Sequence, residues 1–177
     1  MCVVGCGRTS NTKNINASDT NLHLDNGVLF YRDVPFNGIL SEYYTSKTIK
    51  SKTDYKEGKK HGTEMRWYKD GSTLSERFYS GGFKTGVHRS WWPSGDLKFE
   101  YHFNDKGEFH GVVKEWYKSG QIFSDFNYRK GKEDGKQRMW KTDGSIKANY
   151  EVVDGERFGL IGLKKCYTVT VNSDDIE

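Results

Sequence analysis

The sequence predicts an all-β protein in which tandem β-hairpins of about 24 residues form one elongated, twisted antiparallel sheet. Three observations carry this prediction. Glycines recur at a nearly fixed spacing, aromatic residues follow them at fixed distances, and alanine, the best helix former, is almost absent. Only 34% of the residues are hydrophobic, but 15% are aromatic and the net charge is only +4. That balance excludes a disordered chain and predicts a sheet without a thick core.

The repeat is defined by a glycine that we call position 0 of each unit. Successive spacings are 24, 24, 25, 24 and 24 residues, for the series Gly38, Gly62, Gly86, Gly111, Gly135 and Gly159. Aromatic residues stand at positions 5 and 6 of most units, and further glycines follow at positions 9 and 20. The Gly86 unit holds one extra residue, which moves its last glycine to Gly107. The repeat array is predicted to span residues 23–160.

Each unit has the pattern of a β-hairpin. In the Gly62 unit, residues 64–68 are β-favouring and lead into Lys69-Asp70-Gly71. Such a tripeptide suits a three-residue loop, a type I turn closed by a glycine with left-handed backbone. With this loop, position 6 pairs with 10, 5 with 11, 3 with 13 and 1 with 15. The odd positions are therefore predicted to share one apolar, aromatic face, and the even positions a polar face.

The two ends of the chain lie outside the array. Residues 3–6 (Val-Val-Gly-Cys) have the form of a lipobox, and the polar stretch after them predicts a disordered tether, so residues 1–22 form the first segment. The charged and apolar regions of a signal peptide do not precede Cys6. Two interpretations stay open: a lipid anchor at Cys6 in the cell envelope, or a cytoplasmic protein with an accidental match. Residues 161–177 are predicted to be a capping strand and tail.

The repeat pattern Gly-x4-Trp-Tyr-x2-Gly, with Gly-Lys-x2-Gly joining successive units, resembles the MORN repeat, in the variant found in bacterial YwqK-type antitoxin proteins. The clearest matches are residues 59–71 and 110–120. The resemblance covers roughly residues 24–160. It implies a hairpin sheet that binds another protein, as an antitoxin binds its toxin. The alternative role that it implies is a cell-envelope lipoprotein or a phospholipid-binding module.

The sequence has no pattern typical of a catalytic, cofactor or metal site. His61 and His110 stand directly before a repeat glycine, where recurrence predicts a structural role. No cysteine or carboxylate stands at metal-ligand spacing. Residues 81–86 are glycine-rich but lack the spacing of a phosphate-binding loop. We therefore predict a protein that is not an enzyme and that binds no cofactor and no metal.

The candidate partner-binding residues are the two aromatic rows of the repeat. The position-5 row is Trp67, Trp91, Trp116 and Trp140, and the position-6 row, expected on the polar face, is Tyr44, Tyr68, Trp92 and Tyr117. The tryptophans are either the core of the sheet or a partly exposed patch that marks a partner site. A basic row that would favour nucleic acid is interrupted, because the residues directly after position 20 are mixed: Lys59, Phe83, Glu108, Lys132 and Glu156. The expected partner is a protein of unidentified kind, with membrane association if Cys6 is lipidated.

Overall fold

The computed structural model describes residues 13–162, which form sixteen β-strands. In this part of the chain there is no helix of the length and apolar character needed to cross a membrane. The strands are β1 (Asn14–Asn16), β2 (Leu22–Asp25), β3 (Val28–Tyr31), β4 (Val34–Pro35), β5 (Gly38–Tyr43), β6 (Ile49–Lys56), β7 (Lys59–Trp67), β8 (Thr73–Ser80), β9 (Phe83–Trp91), β10 (Leu97–Phe103), β11 (Phe109–Trp116), β12 (Ile122–Arg129), β13 (Lys132–Glu133), β14 (Gly135–Trp140), β15 (Ile146–Val153) and β16 (Glu156–Leu160). The all-β prediction is confirmed.

The strands form one long sheet and one small sheet. The long sheet follows the order β1-β5-β6-β7-β8-β9-β10-β11-β12-β14-β15-β16, with β13 beside β12. Each hairpin pairs with the next in antiparallel fashion and the two ends do not meet, so the open tandem-hairpin architecture is confirmed. The small sheet, β2-β3-β4, lies at the first end, where Leu29 and Phe36 are buried. Leu29 N donates to Gly58 O at 2.8 Å, which ties this sheet to the array.

Residues 13–22 correct the expectation of a disordered tether. Strand β1 runs parallel to β5, with Ile15 opposite Leu40. Ser41 Oγ donates to Asn14 Oδ1 at 2.7 Å, and Ala17 N donates to Ser41 O at 2.8 Å. The polar composition of this stretch does not predict a strand. The strand forms because its backbone groups are hydrogen-bonded by β5, which is distant in sequence. Residues 1–12 and 163–177, which include Cys6 and the predicted capping strand, lie outside the described residues.

The hairpin loops have the predicted three-residue geometry. Tyr68 N donates to Ser72 O at 2.9 Å, and Gly71 N donates to Tyr68 O at 3.0 Å. Gly71 has a φ of 88°, in the left-handed region that glycine enters at no steric cost. The same pair of bonds closes the loop of the Gly38 unit, where Lys47 adopts a φ of 63° in place of glycine. The predicted turn type is confirmed, including the unit that lacks the turn glycine.

The hairpins are joined to one another by shorter turns. Two consecutive residues with positive φ form each of the two-residue junctions, as in a type I′ turn: Glu57-Gly58, Gly81-Gly82, Lys130-Gly131 and Asp154-Gly155. In the Gly86 unit the extra residue makes this junction a three-residue loop. There, Asn104 N donates to Glu108 O and Gly107 N donates to Asn104 O, both at 3.0 Å. The insertion is therefore absorbed within a single turn.

A β-bulge at position 12 decides which side chains share a face. In the Gly62 unit Trp67 pairs with Thr73, as predicted, but the next pair is Arg66 with Ser75, which leaves Leu74 as an extra residue. The same shift occurs between positions 4 and 5 of the other four hairpins. The predicted pairs 3 with 13 and 1 with 15 are therefore wrong. Positions 13 and 15 pair with 4 and 2 instead.

The bulge redefines the two faces of the sheet. The front face carries positions 2, 4 and 6 of the first strand of each hairpin together with 13, 15 and 17 of the second. The back face carries positions 1, 3, 5, 11, 14 and 16. Position 6 therefore shares a face with the mostly aromatic side chains of position 17 and, in the last three units, with the aromatic side chains of position 15. Few apolar residues are buried in the described chain, which confirms the thin core: Leu29, Phe36, Val113, Ala148, Tyr150 and Val152.

Candidate partner-binding face

Position 2 forms a buried row across the strands of the front face. In the Gly62, Gly86, Gly111 and Gly135 units its members are Glu64, His88, Val113 and Gln137, which are at most 7% exposed. His88 Nε2 donates to Phe78 O at 2.8 Å, and Gln137 Nε2 donates to Asn127 O at 2.8 Å, so each bonds to the preceding unit. Burial lowers the pKa of His88. Position 2, an even position, was predicted to lie on the polar face, and without the bulge no feature of the sequence marks it as buried.

The position-6 side chains join each hairpin to the next. The four bonds run to the backbone carbonyl of position 5 in the following unit: Tyr44 Oη to Trp67 O at 2.8 Å, Tyr68 Oη to Trp91 O at 2.8 Å, Trp92 Nε1 to Trp116 O at 3.3 Å and Tyr117 Oη to Trp140 O at 3.0 Å. Because one strand lies between donor and acceptor, each ring spans the second strand of its own hairpin. We call this series the position-6 ladder.

Position 13 is where one unit departs from the others. It is a small residue in four units, namely Ser51, Ser75, Ser124 and Ala148. The last three are at most 5% exposed, on the strands that the position-6 residues flank. In the Gly86 unit position 13 is Phe99, and the spanning residue is Trp92 instead of tyrosine. Phe99 stacks on Tyr101 with ring centroids 4.3 Å apart and ring planes 13° apart. The repeat symmetry of the front face is therefore broken at this unit.

An open cleft of about 450 Å³ lies at this break, between the Gly86 and Gly111 units. Its walls are mostly aromatic and include Trp92, Phe99, Tyr101, Tyr117 and Phe123. The rings of Tyr117 and Phe123 meet edge to face at 5.1 Å. Concave sites with apolar walls and few polar groups are the usual form of a binding site. The cleft has the size and lining to take one large apolar side chain of a partner.

The cleft is also lined by polar and charged groups. Tyr101 Oη donates to Glu115 Oε1. Burial, and then the Glu115 carboxylate, raise the pKa of Tyr101, so this hydroxyl remains a donor at neutral pH. Lys98 and Lys118 are exposed lining residues, and Lys98 Nζ lies 4.5 Å from the ring centroid of Trp92. The cation–π contact holds one wall in place from within the protein.

The position-5 tryptophans lie on the back face and are partly exposed: Trp67, Trp91, Trp116 and Trp140. They are therefore not a buried core, and a partner-binding role for the row stays a prediction. Ion pairs cross the strands beside them, with Arg89 Nε 2.7 Å from Glu100 Oε2 and one Arg138 guanidinium nitrogen 2.6 Å from Asp125 Oδ2. Burial tends to raise the pKa of Glu100, but hydrogen bonds from His102 and Arg89 hold it below its ordinary value.

Three of the eight predicted residues line the cleft, Trp92, Tyr117 and Trp116. Trp116 belongs to the back-face row, but its backbone carbonyl accepts the hydrogen bond from Trp92. The other five lie elsewhere along the two rows: Tyr44, Tyr68, Trp67, Trp91 and Trp140. Sequence analysis missed Phe99, Tyr101, Glu115 and Phe123. A position-by-position comparison of the units contained a signal for Phe99, since serine or alanine occupies position 13 elsewhere. No such signal existed for the other three, because their meeting depends on the bulge.

Within residues 13–162 no three His, Cys, Asp or Glu side chains are grouped so as to hold a metal ion. The family model of the MORN repeat variant matches residues 84–105 and 109–130, which are the two hairpins that form the cleft. No curated protein matches the chain significantly. The match supports a protein of MORN repeats, and the finer resemblance to YwqK-type antitoxin proteins stays a prediction.

Proposed function

Since the chain is built from MORN-type repeats, we propose that it is a non-catalytic interaction module that binds a partner protein in the front-face cleft. The observation that carries this proposal is the loss of repeat symmetry at Phe99. A residue that only holds hairpins together is expected to recur along the array, as the position-6 ladder does in four of the five hairpins. A local departure that exposes aromatic side chains serves a different purpose, because departures from a consistent pattern concentrate at functional sites.

The cleft supplies the kind of contact that dominates protein interfaces. Its aromatic walls are held by protein contacts before a partner arrives, since Phe99 stacks on Tyr101 and Lys98 lies over Trp92. Preformed walls reduce the entropy lost on binding. Truncating an anchor side chain of this kind costs the complex roughly 2 kcal/mol or more of binding free energy, which corresponds to about a thirtyfold loss of affinity.

The test uses Phe99→Ser, which restores the small residue that other units carry and should leave the fold intact. The matched control is Phe158→Ser, at a phenylalanine that is 56% exposed on strand β16. The wild-type chain and the control should retain the same partner after cross-linking in cells, whereas Phe99→Ser should lose at least about nine tenths of it. Equal recovery by Phe99→Ser would refute the cleft as the binding site.

The resemblance to YwqK-type proteins supports a finer version, in which the partner is a toxin that the module masks. The captured partner, expressed alone, should then arrest growth of the host cell. Co-expression with the wild-type chain should restore growth, and co-expression with Phe99→Ser should not. A partner that is harmless when expressed alone would retire the antitoxin role and leave the interaction module.

A second candidate is a module held at the cell envelope by a lipid on Cys6. Residues 3–6 support it because they have the spacing of a lipobox. In a cell fractionation, the protein should sediment with membranes and Cys6→Ser should move it to the soluble fraction. Cys2→Ser is the matched control, since it changes a neighbouring cysteine outside the lipobox position. A soluble wild-type protein would contradict the anchor and leave direct phospholipid binding to be tested with vesicles.

A further inference from the structure

A cluster of positive charge lies on the front face of the same sheet as the cleft. Lys60, Arg66 and Arg77 all surround the carboxylate of Glu64, which is fully buried. Arg66 Nε lies 3.1 Å from Glu64 Oε1 and one Arg77 guanidinium nitrogen lies 3.6 Å from the same atom. Three cations share one carboxylate, so the cluster carries a formal charge of +2. The three basic side chains are between 30% and 46% exposed and present this charge to solvent.

The charge of Glu64 is a fixed part of this cluster. Burial tends to raise the pKa of Glu64, but the hydrogen bond and charge of Lys60, with Arg66 and Arg77, bring it below its ordinary value. The carboxylate therefore stays ionised at neutral pH and organises the three cations without neutralising them. Exposed cations that are already oriented lose little side-chain entropy when an anion binds.

The basic cluster and the cleft lie on the same face at a defined separation. Glu64 is on β7, and Glu115 in the cleft is on β11, with three strands between them in the sheet. Four strand spacings correspond to about 19 Å. The field of Arg77 reaches the cleft, because it acts to lower the pKa of Tyr101 against the larger effect of burial. An extended peptide lying across the strands would cover this distance with about six residues.

Resting on the proposed function, we propose that the partner segment is an acidic peptide. It places carboxylates on Lys60, Arg66 and Arg77, and an aromatic or large aliphatic side chain about six residues away in the cleft. Charge complementarity selects this occupant: the exposed groups nearest to the cleft, Lys98 and Lys118, are also basic. The segment therefore meets positive charge at both ends, from the cluster around Glu64 and from Lys98 and Lys118 beside the cleft.

A peptide fits this surface better than a single-stranded nucleic acid. A base needs an open aromatic face for stacking, but Lys98 lies over Trp92 and Lys84 Nζ lies 5.2 Å from the ring centroid of Phe103. The Glu115 carboxylate lines the cleft and repels a phosphate. An apolar side chain whose acidic neighbours lie about six residues away meets neither obstacle.

The experiment selects a displayed library of random 12-residue peptides on the full chain at 50 mM salt. Selected peptides are then synthesised and their affinity measured by fluorescence anisotropy. We expect enrichment of peptides with two or more acidic residues about six positions from an aromatic or large aliphatic residue. Arg66→Gln should weaken them roughly fivefold, the effect of one charge-assisted contact. The matched control Arg89→Gln, on the back face, should leave the affinity unchanged.

Each other outcome overturns a defined part of the argument. Peptides that require Phe99 but show no acidic preference, or that ignore Arg66→Gln, overturn the acidic partner and leave the cleft as a binding site. Peptides that bind Phe99→Ser as tightly as the wild type overturn the proposed function itself. A 12-residue oligodeoxythymidine that binds more tightly than every selected peptide, and competes with them, overturns the peptide in favour of nucleic acid. Circular dichroism of Arg66→Gln separates loss of the peptide contact from loss of the fold. Lys84→Gln, which removes a charge outside the Glu64 cluster, is compared in the same way.

Discussion

The position-6 ladder makes a quantitative prediction about stability. Tyr44, Tyr68 and Tyr117 each donate one hydrogen bond to the next unit, and replacing tyrosine by phenylalanine removes only that hydroxyl. A hydrogen bond of this kind contributes about 0.5–1.5 kcal/mol. Equivalent residues in neighbouring units are about 10 Å apart, so their effects should add. The triple phenylalanine variant should therefore lose about 2–4 kcal/mol of unfolding free energy, a large part of the total for a domain of this kind.

Urea unfolding followed by circular dichroism measures this loss. With a slope of about 2 kcal/mol per molar urea, the midpoint of the triple variant should fall by roughly 1–2 M. A lower slope of unfolding free energy against urea concentration would show that neighbouring hairpins unfold separately in the variant. This is expected if the ladder couples adjacent repeats. Tyr43→Phe is the matched control for Tyr44→Phe, because the Tyr43 ring is 44% exposed and directly precedes it.

The ladder is refuted as a stabilising device if the triple variant has the same midpoint as Tyr43→Phe. Such a result would mean that water satisfies the position-5 carbonyls as well as the hydroxyls do. The position-6 rings would then be free for the partner-binding role that sequence analysis expected of them, and Trp92 and Tyr117 would act only through the cleft.

Two further predictions concern the turns and the buried row. Gly71→Val should destabilise the protein by about 1–2 kcal/mol, because its φ is 88° and the added Cβ meets no atom within 4 Å, which leaves backbone strain as the cost. The control Gly71→Asn should cost less. Equal urea midpoints for the wild type and both variants would contradict the turn assignment. Burial holds the pKa of His88 below its ordinary value of 6.5, so on acidification the unfolded state takes up the proton before the folded state does. The free energy of unfolding should therefore fall as pH drops below about 6.5, by at most about 1.4 kcal/mol per pH unit. His88→Val, which copies Val113 at the same position, should remove that dependence between pH 7 and 5; an unchanged slope would assign it to other groups.

The period, the strand content and the hairpin turns could be predicted because they are local. A glycine at position 9 is favoured by the left-handed backbone of a three-residue loop, and that preference acts within a few residues. Lys47 illustrates the same local effect, since it adopts the left-handed backbone conformation in the unit where the glycine is missing. The two hairpins matched by the MORN repeat variant follow from this local chemistry.

The faces, the cleft and the first strand were decided only by the tertiary structure. Leu74 and its equivalents form bulges because two strands that twist together accommodate one extra residue at that position. No particular residue type at this position predicts the bulge. One extra residue exchanges the faces of everything beyond it, which moves Phe99 and Tyr101 to the side of Trp92 and Tyr117. Strand β1 likewise depends on pairing with β5. Local turns are determined by backbone sterics within the sequence, whereas register depends on contacts between strands, and those contacts exist only once the sheet has formed.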